Sequence, residues 1–189
     1  MICAGIDEVG RGCLAGPVVA CAVILPKDFS VVVMDSKKCS PVRRKRISEE
    51  IKVHALDYAF GMVDAEMIDI HNIRIATLMA MAQALSQLKQ AVDIVYIDGN
   101  VAIPRYLMQE YHLTCRQETI VNGDSLNTSI SSASILAKVY RDEYMSVLSE
   151  RYPEYGFSKH KGYGTKEHRD ALKRYGACPL HRKTFSGVL

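Results

Sequence analysis

The chain has 189 residues, of which 48% are hydrophobic and 24% are charged. This balance excludes wholesale disorder and suits one globular domain with room for a small appendage. The six cysteines include no C-x-x-C pair, so we expect free thiols in a reducing cytoplasm rather than a disulfide scaffold or a zinc site. Residues 13–25 are apolar but too short to span a bilayer, and we expect a buried strand there and no membrane association.

The net charge of +3 conceals an uneven distribution of charge along the chain. Residues 158–183 contain eight Lys and Arg against two acids, a net +6, whereas residues 1–157 carry a net −3. Residues 36–48 hold six more Lys and Arg and no acid. Both clusters suit a polyanionic partner, although a solvated basic helix gives the same pattern. We interpret the three histidines of the C-terminal basic segment as phosphate or surface contacts: His160, His168 and His181.

In the first half of the chain, short apolar runs predict strands at residues 2–9, 18–25 and 31–34. Ser40 followed by Pro41 predicts the start of a helix that continues to about residue 54. A further strand is predicted at residues 59–63. Either Asp64 or Asn72 then caps a helix, in which apolar residues recur at helical spacing as far as Leu88.

In the second half, strands are predicted at residues 93–98 and 114–121, and the longest helix at residues 129–151. Thr165 is predicted to cap a short basic helix that ends at Gly176. Early strands followed by alternating helices and strands predict an α/β fold, a mixed sheet covered by helices. Residues from 153 onward are expected to form a small lobe against it.

Four acidic residues stand where a regular element ends or is about to begin: Asp7, Glu8, Asp98 and Asp124. Each of them alone could be an ordinary turn or cap residue. Asp98 ends a hydrophobic run, however, and an unpaired carboxylate that is partly buried there is costly. A cluster of carboxylates with no matching set of His or Cys favours Mg²⁺ or Mn²⁺ over zinc.

Asp7 and Glu8 are neighbours, and neighbours in a regular strand point to opposite faces of the sheet. For both to reach one metal centre, we expect the pleat to break just before Gly10 and Gly12. Two metal ions about 4 Å apart could then share Asp7 and use Glu8 and Asp98 on opposite sides. Carboxylates for metal ions together with two basic clusters indicate an enzyme that cleaves phosphodiesters, and no P-loop motif is present.

Six segments of the sequence resemble the ribonuclease HII family, in the family's order and nearly from end to end. They are AGIDEVGRG at residues 4–12 with the apolar run after it, DSKKCSP at 35–41, YIDGN at 96–100, GDSLNTSISSASILAKVYRDEYM at 123–145, YPEYGFSKHKGYGTKEH at 152–168 and LHRKTF at 180–185. Asn122 stands where a lysine is common in the family, which removes one charge near the expected metal site.

The resemblance implies a ribonuclease H-like mixed sheet flanked by helices, with residues 1–152 as the catalytic domain and 153–189 as a small helical substrate-binding region. It also implies hydrolysis of the RNA strand in RNA–DNA hybrids and cleavage on the 5′ side of ribonucleotides embedded in duplex DNA. The products would be a 3′-hydroxyl and a 5′-phosphate. Asp7, Glu8, Asp98 and Asp124 match the family's catalytic carboxylates, which would hold two Mg²⁺ or Mn²⁺ ions.

For substrate binding, the resemblance matches Gly10, Arg11 and Gly12 to the loop whose backbone reads the ribose 2′-hydroxyl. It matches Tyr163 to a tyrosine that packs on the sugar beside the cleavage site. Three residues align with phosphate contacts, without showing which of them makes the contact: Ser36, Lys37 and Lys38. We expect a monomer, and neither a sliding-clamp-binding tail nor the extra N-terminal domain of ribonuclease HIII is apparent in the sequence.

Two other functions remain open on the sequence. The first is a DNA nuclease or junction resolvase with the same fold, which would cut a duplex that contains no ribonucleotide. The second is a non-catalytic protein that binds hybrids, although pure binding does not call for four carboxylates facing a phosphate backbone.

Overall fold

Five strands form one mixed sheet in the computed structural model of the chain, which describes residues 1–33 and 39–189. The strands are β1 (Cys3–Val9), β2 (Val18–Ile24), β3 (Asp57–Val63), β4 (Ile94–Asp98) and β5 (Arg116–Ile120). Their order across the sheet is β3-β2-β1-β4-β5. Strands β1, β2 and β3 pair antiparallel, whereas β1–β4 and β4–β5 pair parallel. The predicted mixed sheet of an α/β fold is confirmed.

Helices cover both faces of this sheet. They are α1 (Pro41–His54), α2 (Ala65–Ser86), α3 (Arg105–Glu110), α4 (Gly123–Leu126), α5 (Thr128–Arg151), α6 (Phe157–His160) and α7 (Lys166–Tyr175), with a 3₁₀ turn at Pro153–Tyr155. The four longer helices were predicted. The three short ones, α3, α4 and α6, were not, because four to six residues are too few to show a helical period. No helix in the described ranges combines the length and hydrophobicity that a bilayer crossing requires.

The helix starts follow the predicted capping chemistry. Ser40 Oγ accepts a hydrogen bond from the backbone N–H of Arg43 at 3.3 Å, and Thr165 caps α7 in the same way. Both candidate caps of α2 are used. Asp64 caps its beginning, and Asn72, with φ 66° and ψ 161°, interrupts the helix and accepts hydrogen bonds that restart it. Helix α2 is therefore kinked at Asn72.

The strand predicted at residues 31–34 is wrong over its described part, since residues 31–33 belong to no strand and Met34 lies outside the described residues. Val31 and Val33 are partly buried against the apolar cluster between the sheet and helices α1 and α5. Their hydrophobicity is satisfied by this packing alone, without a partner strand.

Strand β2 lies at the centre of the packing, and all seven of its residues are buried. Its alternate side chains serve two cores. Cys21 and Val23 face α1 and α5, whereas Ala20, Ala22 and Ile24 face α2. A strand that is covered on both faces reads as a continuous apolar run, and this explains the hydrophobic segment at residues 18–25.

Two glycines let the helices approach the sheet closely. A Cβ added at Gly61 on β3 would lie 1.9 Å from the carbonyl oxygen of Ala80 in α2. A Cβ added at Gly5 on β1 would lie 2.3 Å from the backbone carbon of Ser129 in α5. Because Gly5 is two residues before Asp7, this contact fixes the beginning of α5 beside the carboxyl end of β1.

The chain beyond α5 packs on both α5 and the loop that follows β1. One cluster joins Ala15 and Met145 to Tyr155, Phe157, Ala171 and Cys178, and a second joins Leu14 to Leu172 and Val188. The boundary expected at residues 152 and 153 remains a prediction. The apolar side chains of this segment pack against Leu14 and Ala15, near the start of the chain.

We predict that Gly61→Ala lowers the free energy of unfolding by about 2 kcal/mol or more, because overpacking against a helix backbone cannot be relieved by a rotamer change. Urea unfolding followed by circular dichroism measures the loss. Gly12→Ala is the matched control, since a Cβ there meets no atom within 4 Å. Equal stability of the two variants would contradict the close approach of α2 to β3.

Candidate active site

The carboxyl ends of β1 and β4 meet at one edge of the sheet and open into a cavity of about 320 Å³. The parallel register pairs Ile6 with Ile97, so Asp7 and Asp98 are the next residues on neighbouring strands. Asp7, Glu8 and Asp98 all line the cavity. Its remaining wall is formed by the loop at residues 9–12 and by Arg44, Ser134, Lys138 and Tyr163. Three of the four predicted carboxylates are thus brought together.

The expected break in the pleat does not occur. The ladder between β1 and β2 continues through Asp7, Glu8 and Val9 without interruption. The Asp7 side chain is buried on the α5 side, where Ser134 donates a hydrogen bond to it. Glu8 also lines a second, smaller cavity of about 120 Å³, which it shares with Asp98. Both acids reach the main cavity because the strand ends there, so a bent backbone is not needed.

Burial and the charges of neighbouring carboxylates disfavour the charged forms of Asp7 and Glu8. The pKa of Asp7 is raised well above its ordinary value by burial, then by the charge of Glu8, with a smaller contribution from Asp98. Burial also raises the pKa of Glu8, and the neighbouring Arg11 opposes that rise. The Arg11 guanidinium lies 3.2 Å from Glu8 Oε1. Arg11 therefore pairs with Glu8, and two further cations, Arg44 and Lys138, line the same cavity.

Asp124 lies beside this group but is not part of the cavity wall. It is 6% exposed in the short helix α4. Its backbone N–H donates a hydrogen bond of 3.3 Å to Asp98 Oδ1, and its carbonyl oxygen accepts one from the Ser131 hydroxyl of α5. The bond from the Asp124 backbone helps to hold Asp98 in place at the carboxyl end of β4.

Within residues 1–33 and 39–189, no three His, Cys, Asp or Glu side chains lie close enough to form a closed metal site. The chemistry of the donors nevertheless fits a hard divalent cation. Three carboxylates line one cavity, and two of them, Asp7 and Glu8, have a pKa raised by burial and by the charge of neighbouring carboxylates. A bound cation would offset that repulsion, and oxygen donors of this kind suit Mg²⁺ and Mn²⁺.

Buried guanidinium groups hold the loop that follows β1, and no motif or spacing in the sequence predicts this role for them. Arg182 is fully buried and donates to the carbonyl oxygens of Gly10, Arg11 and Gly16 at 2.7–3.0 Å. A trans peptide points its C=O and the following N–H in opposite directions. The N–H groups of Arg11 and Gly12 therefore face away from Arg182.

Arg141 of α5 joins this loop to the segment that carries Tyr163. It is also fully buried, and it donates to the carbonyl oxygens of Ala15, Pro17 and Lys161 at 2.8–3.1 Å. Burial lowers the pKa of Arg182 to about 10, and the charge of Arg141 contributes to that shift. Arg182 belongs to the C-terminal basic segment that was interpreted as suiting a polyanion, yet it is buried. A pattern of charges cannot distinguish a buried arginine from an exposed one.

Tyr163 is seated directly on the loop after β1. Its backbone forms an isolated β-bridge with Cys13, and its side chain, in a residue 38% exposed, contributes to the cavity wall. Lys138 Nζ lies 5.4 Å from the centroid of the Tyr163 ring. The structure therefore brings Gly10, Arg11, Gly12 and Tyr163 to the cavity. Ser36, Lys37 and Lys38 lie outside the described residues.

The three C-terminal histidines are buried, so their interpretation as surface or phosphate contacts is wrong. His160, His168 and His181 are 8%, 0% and 1% exposed. The Nε2 atoms of His168 and His181 lie 3.0 Å apart, and the His160 ring stacks on that of His168. Burial and the charge of His168 lower the pKa of His181 to about 4, and burial also lowers the pKa of His168.

Comparison with known proteins identifies the chain's relatives. The ribonuclease HII family model matches residues 4–188. The ribonuclease HII of Endomicrobium trichonymphae is 52% identical over 98% of this chain and 85% of its own length. The chain belongs to the ribonuclease HII family.

Solved structures agree with the fold. The ribonuclease H2 of Pyrococcus horikoshii OT3 superimposes with a TM-score of 0.82 at 25% identity, covering all of this chain and 95% of that one. The RNase HII of Archaeoglobus fulgidus, solved in a complex with PCNA, gives 0.81 at 28% identity over 98% and 96%. The chain is therefore an endoribonuclease of the ribonuclease H type, from a family that depends on a divalent metal.

We predict that Arg182→Lys destabilises the enzyme by about 2 kcal/mol, because an ammonium cannot reproduce the guanidinium's several bonds to carbonyl oxygens. Hydrogen exchange should accelerate at the amides of Leu14 and Gly16, which donate to Gly162 and Leu180. Arg174→Lys, at an exposed position, is the control. Unchanged exchange in the loop would show that Arg182 does not hold it.

The buried histidines predict a specific dependence of stability on pH. Below an ordinary pKa of 6.5 the unfolded chain binds a proton at position 181, whereas the folded enzyme does so only near pH 4. The contribution of neutral His181 to the free energy of unfolding is therefore fully present above pH 6.5. It is lost as the pH falls toward 4, at up to about 1.4 kcal/mol per pH unit.

Denaturant titrations between pH 7.5 and 4.5 measure this slope, and the difference between the native enzyme and His181→Gln isolates it from the opposing effect of Asp7 and Glu8. The exposed His54 provides the control variant His54→Gln. Parallel curves for all three proteins would refute the assignment.

Proposed function

We propose that this enzyme hydrolyses the RNA strand of RNA–DNA hybrids and cuts on the 5′ side of a ribonucleotide embedded in duplex DNA. The products would carry a 3′-hydroxyl and a 5′-phosphate. One observation carries the proposal. Asp7, Glu8 and Asp98 share a single cavity with the Gly10–Arg11–Gly12 loop, so groups suited to hydrolysis lie beside backbone groups suited to recognising a ribose.

In this proposal Asp7, Glu8, Asp98 and Asp124 hold two divalent cations, Mg²⁺ or Mn²⁺. When bound, such ions supply Lewis acidity at the attacking water and at the leaving 3′ oxygen. The chain itself contributes the negative charge of the carboxylates and holds them in position. Ser134 orients Asp7, and the backbone of Asp124 orients Asp98, so that their oxygens converge at the end of the two parallel strands.

Selection of ribose is assigned to the loop after β1. Its carbonyl oxygens at Gly10 and Arg11 are committed to Arg182, and its N–H groups at Arg11 and Gly12 face the other way. A 2′-hydroxyl both donates and accepts hydrogen bonds, and it is the group that separates RNA from DNA. Gly12 has no atom within 4 Å of where a Cβ would lie, which leaves room for close approach of a sugar.

Tyr163 is proposed to pack on the sugar next to the scissile bond. Its half-exposed ring borders the same cavity as the carboxylates and lies near Lys138, a cation suited to a neighbouring phosphate. Ser36, Lys37 and Lys38 are kept as proposed phosphate contacts. The partners are RNA–DNA hybrids and ribonucleotide-containing duplexes, bound by a cytoplasmic monomer. The PCNA complex belongs to the Archaeoglobus fulgidus protein and is not extended to this chain.

Two rival functions make different predictions on defined substrates. A DNA nuclease with this fold cuts an all-DNA duplex as fast as one with a single embedded ribonucleotide. A hybrid-binding protein cuts neither, with or without added Mg²⁺ or Mn²⁺. The proposed enzyme cuts only the duplex that contains the ribonucleotide, and only with the metal ion. Measuring both duplexes in parallel separates the three.

We predict that Asp98→Asn reduces metal-dependent cleavage at least about 100-fold while hybrid binding survives, because the variant loses negative charge but keeps its shape. Gel-based cleavage and fluorescence anisotropy measure the two properties. Asp28→Asn, at an exposed site remote from the cavity wall, is the control. Retained cleavage in Asp98→Asn would remove Asp98 from the catalytic set.

We predict that Tyr163→Ala slows cleavage at a single embedded ribonucleotide about tenfold more than cleavage of a long hybrid. A long hybrid offers many registers and many backbone contacts, whereas an isolated ribonucleotide depends on contacts at one sugar. Rates on both substrates give the ratio. Tyr106→Ala, another exposed tyrosine, should leave it unchanged. Equal losses on the two substrates would contradict the proposed role of Tyr163.

A further inference from the structure

Behind Tyr163, two buried histidines form a chain of hydrogen bonds that the proposed reaction does not use. The backbone N–H of Cys178 lies 3.0 Å from His181 Nδ1. His181 Nε2 lies 3.0 Å from His168 Nε2, and His168 Nδ1 lies 2.9 Å from the carbonyl oxygen of Tyr163. The chain thus connects a fixed backbone group in the C-terminal segment to the peptide of the residue that borders the cavity.

The contact with Tyr163 determines where the protons lie. The Tyr163 carbonyl oxygen can only accept, so the proton of His168 is on Nδ1, and His168 Nε2 accepts the proton of His181 Nε2. His181 Nδ1 then accepts from the Cys178 N–H at 3.0 Å, and it also lies 3.3 Å from the Cys178 carbonyl oxygen. These tautomers are assigned from the hydrogen-bond network.

The opposite arrangement is disfavoured by geometry. With its proton on Nε2, His168 would present the lone pair of Nδ1 to the Tyr163 carbonyl oxygen at 2.9 Å, two acceptors in contact. The Cys178 N–H would also lose its acceptor, a cost of about 1–3 kcal/mol for a buried polar group. The opposite direction would gain only the longer contact of 3.3 Å from His181 Nδ1 to the Cys178 carbonyl oxygen, so donation toward Tyr163 is favoured.

We propose that His168 and His181 are positioning residues that fix the Tyr163 peptide, and through it the Tyr163 ring, at the substrate. This inference rests on the proposed role of Tyr163. Lys138 and Arg141 lie within 5.9 Å of the centroid of this ring, and the Cys13 side chain forms a hydrogen bond with its hydroxyl. The backbone of Tyr163 sets the point from which the ring makes these contacts. The Tyr163 N–H donates to the His160 carbonyl, and its own carbonyl accepts from Thr165 N–H as well as from His168.

The neighbouring peptide is held by the same cluster. The Gly162 N–H donates to His160 Nδ1 at 3.2 Å, and the Gly162 carbonyl accepts from the N–H groups of Leu14 and Ala15. The imidazoles thus hold the backbone that docks on the loop after β1. Loss of the His168 donor leaves this docking in place but releases one of the two bonds to the Tyr163 carbonyl.

Two substitutions at position 168 separate positioning from packing. The amide nitrogen of Asn stands near Nδ1, so His168→Asn can still donate to the Tyr163 carbonyl. The amide of Gln reaches the place of Nε2, so His168→Gln keeps the contact with His181 and loses that donor. We expect His168→Gln to lower the rate ratio of single-ribonucleotide to long-hybrid cleavage about fivefold, and His168→Asn to restore most of it.

His54→Gln serves as the surface control, and thermal unfolding shows that each variant is folded. If both variants at position 168 change the two rates equally, in proportion to their stability, His168 only packs and the proposal fails. If His168→Gln leaves the ratio at its native value while Tyr163→Ala lowers it, the proposed positioning of Tyr163 by His168 is also overturned. If Tyr163→Ala itself fails to alter the ratio, the failure belongs to the proposed function of Tyr163.

Imidazole ¹⁵N spectra of the native enzyme test the direction of the hydrogen-bond chain through His181 and His168 without any variant. We expect the Nδ1–H tautomer at His168 and the Nε2–H tautomer at His181, and the opposite pair would overturn the proposal. In ¹³C spectra the Tyr163 carbonyl signal should shift in His168→Gln and remain near its native position in His168→Asn. This readout does not depend on which substrate Tyr163 contacts.

Discussion

The arrangement of the site depends on two fully buried guanidinium groups whose partners are backbone carbonyl oxygens. Arg141 and Arg182 together hold five carbonyls of residues 10–17 and one of residue 161. Planar guanidinium groups with several fixed donors suit this task, because one side chain can bind successive peptides at set angles. Gly10, at φ 91°, has no space for a Cβ, which would lie 2.3 Å from Arg141 Nε.

This loop contacts charges of both signs. Arg141 and Arg182 bind its carbonyl oxygens, and residues 10–12 line the cavity together with Asp7, Glu8 and Asp98. The C-terminal basic segment is less available to a polyanion than its net +6 indicates. Arg182 is buried in the loop, Lys161 Nζ binds Ser146 Oγ, and Lys159 and Lys166 form ion pairs with acids of α7. Part of the positive charge of this segment is therefore engaged by partners within the protein and stabilises the fold.

The sequence predicted best what local chemistry decides. Ser40, Asp64, Asn72 and Thr165 each cap the next few residues, so their roles need no knowledge of the rest of the fold. Asp7, Glu8 and Asp98 were found because strand ends are visible in the pattern of hydrophobicity. Their convergence on one cavity follows from the sheet order, which brings β1 and β4 side by side.

What the sequence did not predict depends on residues far apart in the chain. Whether His168 or Arg141 is exposed is decided by elements that meet it only after folding, and a basic composition favoured the surface. The pleat at Asp7 and Glu8 stayed regular because the end of a strand already exposes both faces. Val31 and Val33 found apolar contacts without a partner strand, which alternation alone cannot reveal.

The bond between Arg182 and Gly10 spans 172 positions of sequence. Closing a loop of this length has an entropic cost in the unfolded chain, which the buried hydrogen bonds of Arg182 help to offset. The loop after β1 therefore reaches its native geometry only when both ends of the chain are in place, and a chain cut before Arg182 would lose donors that hold this loop.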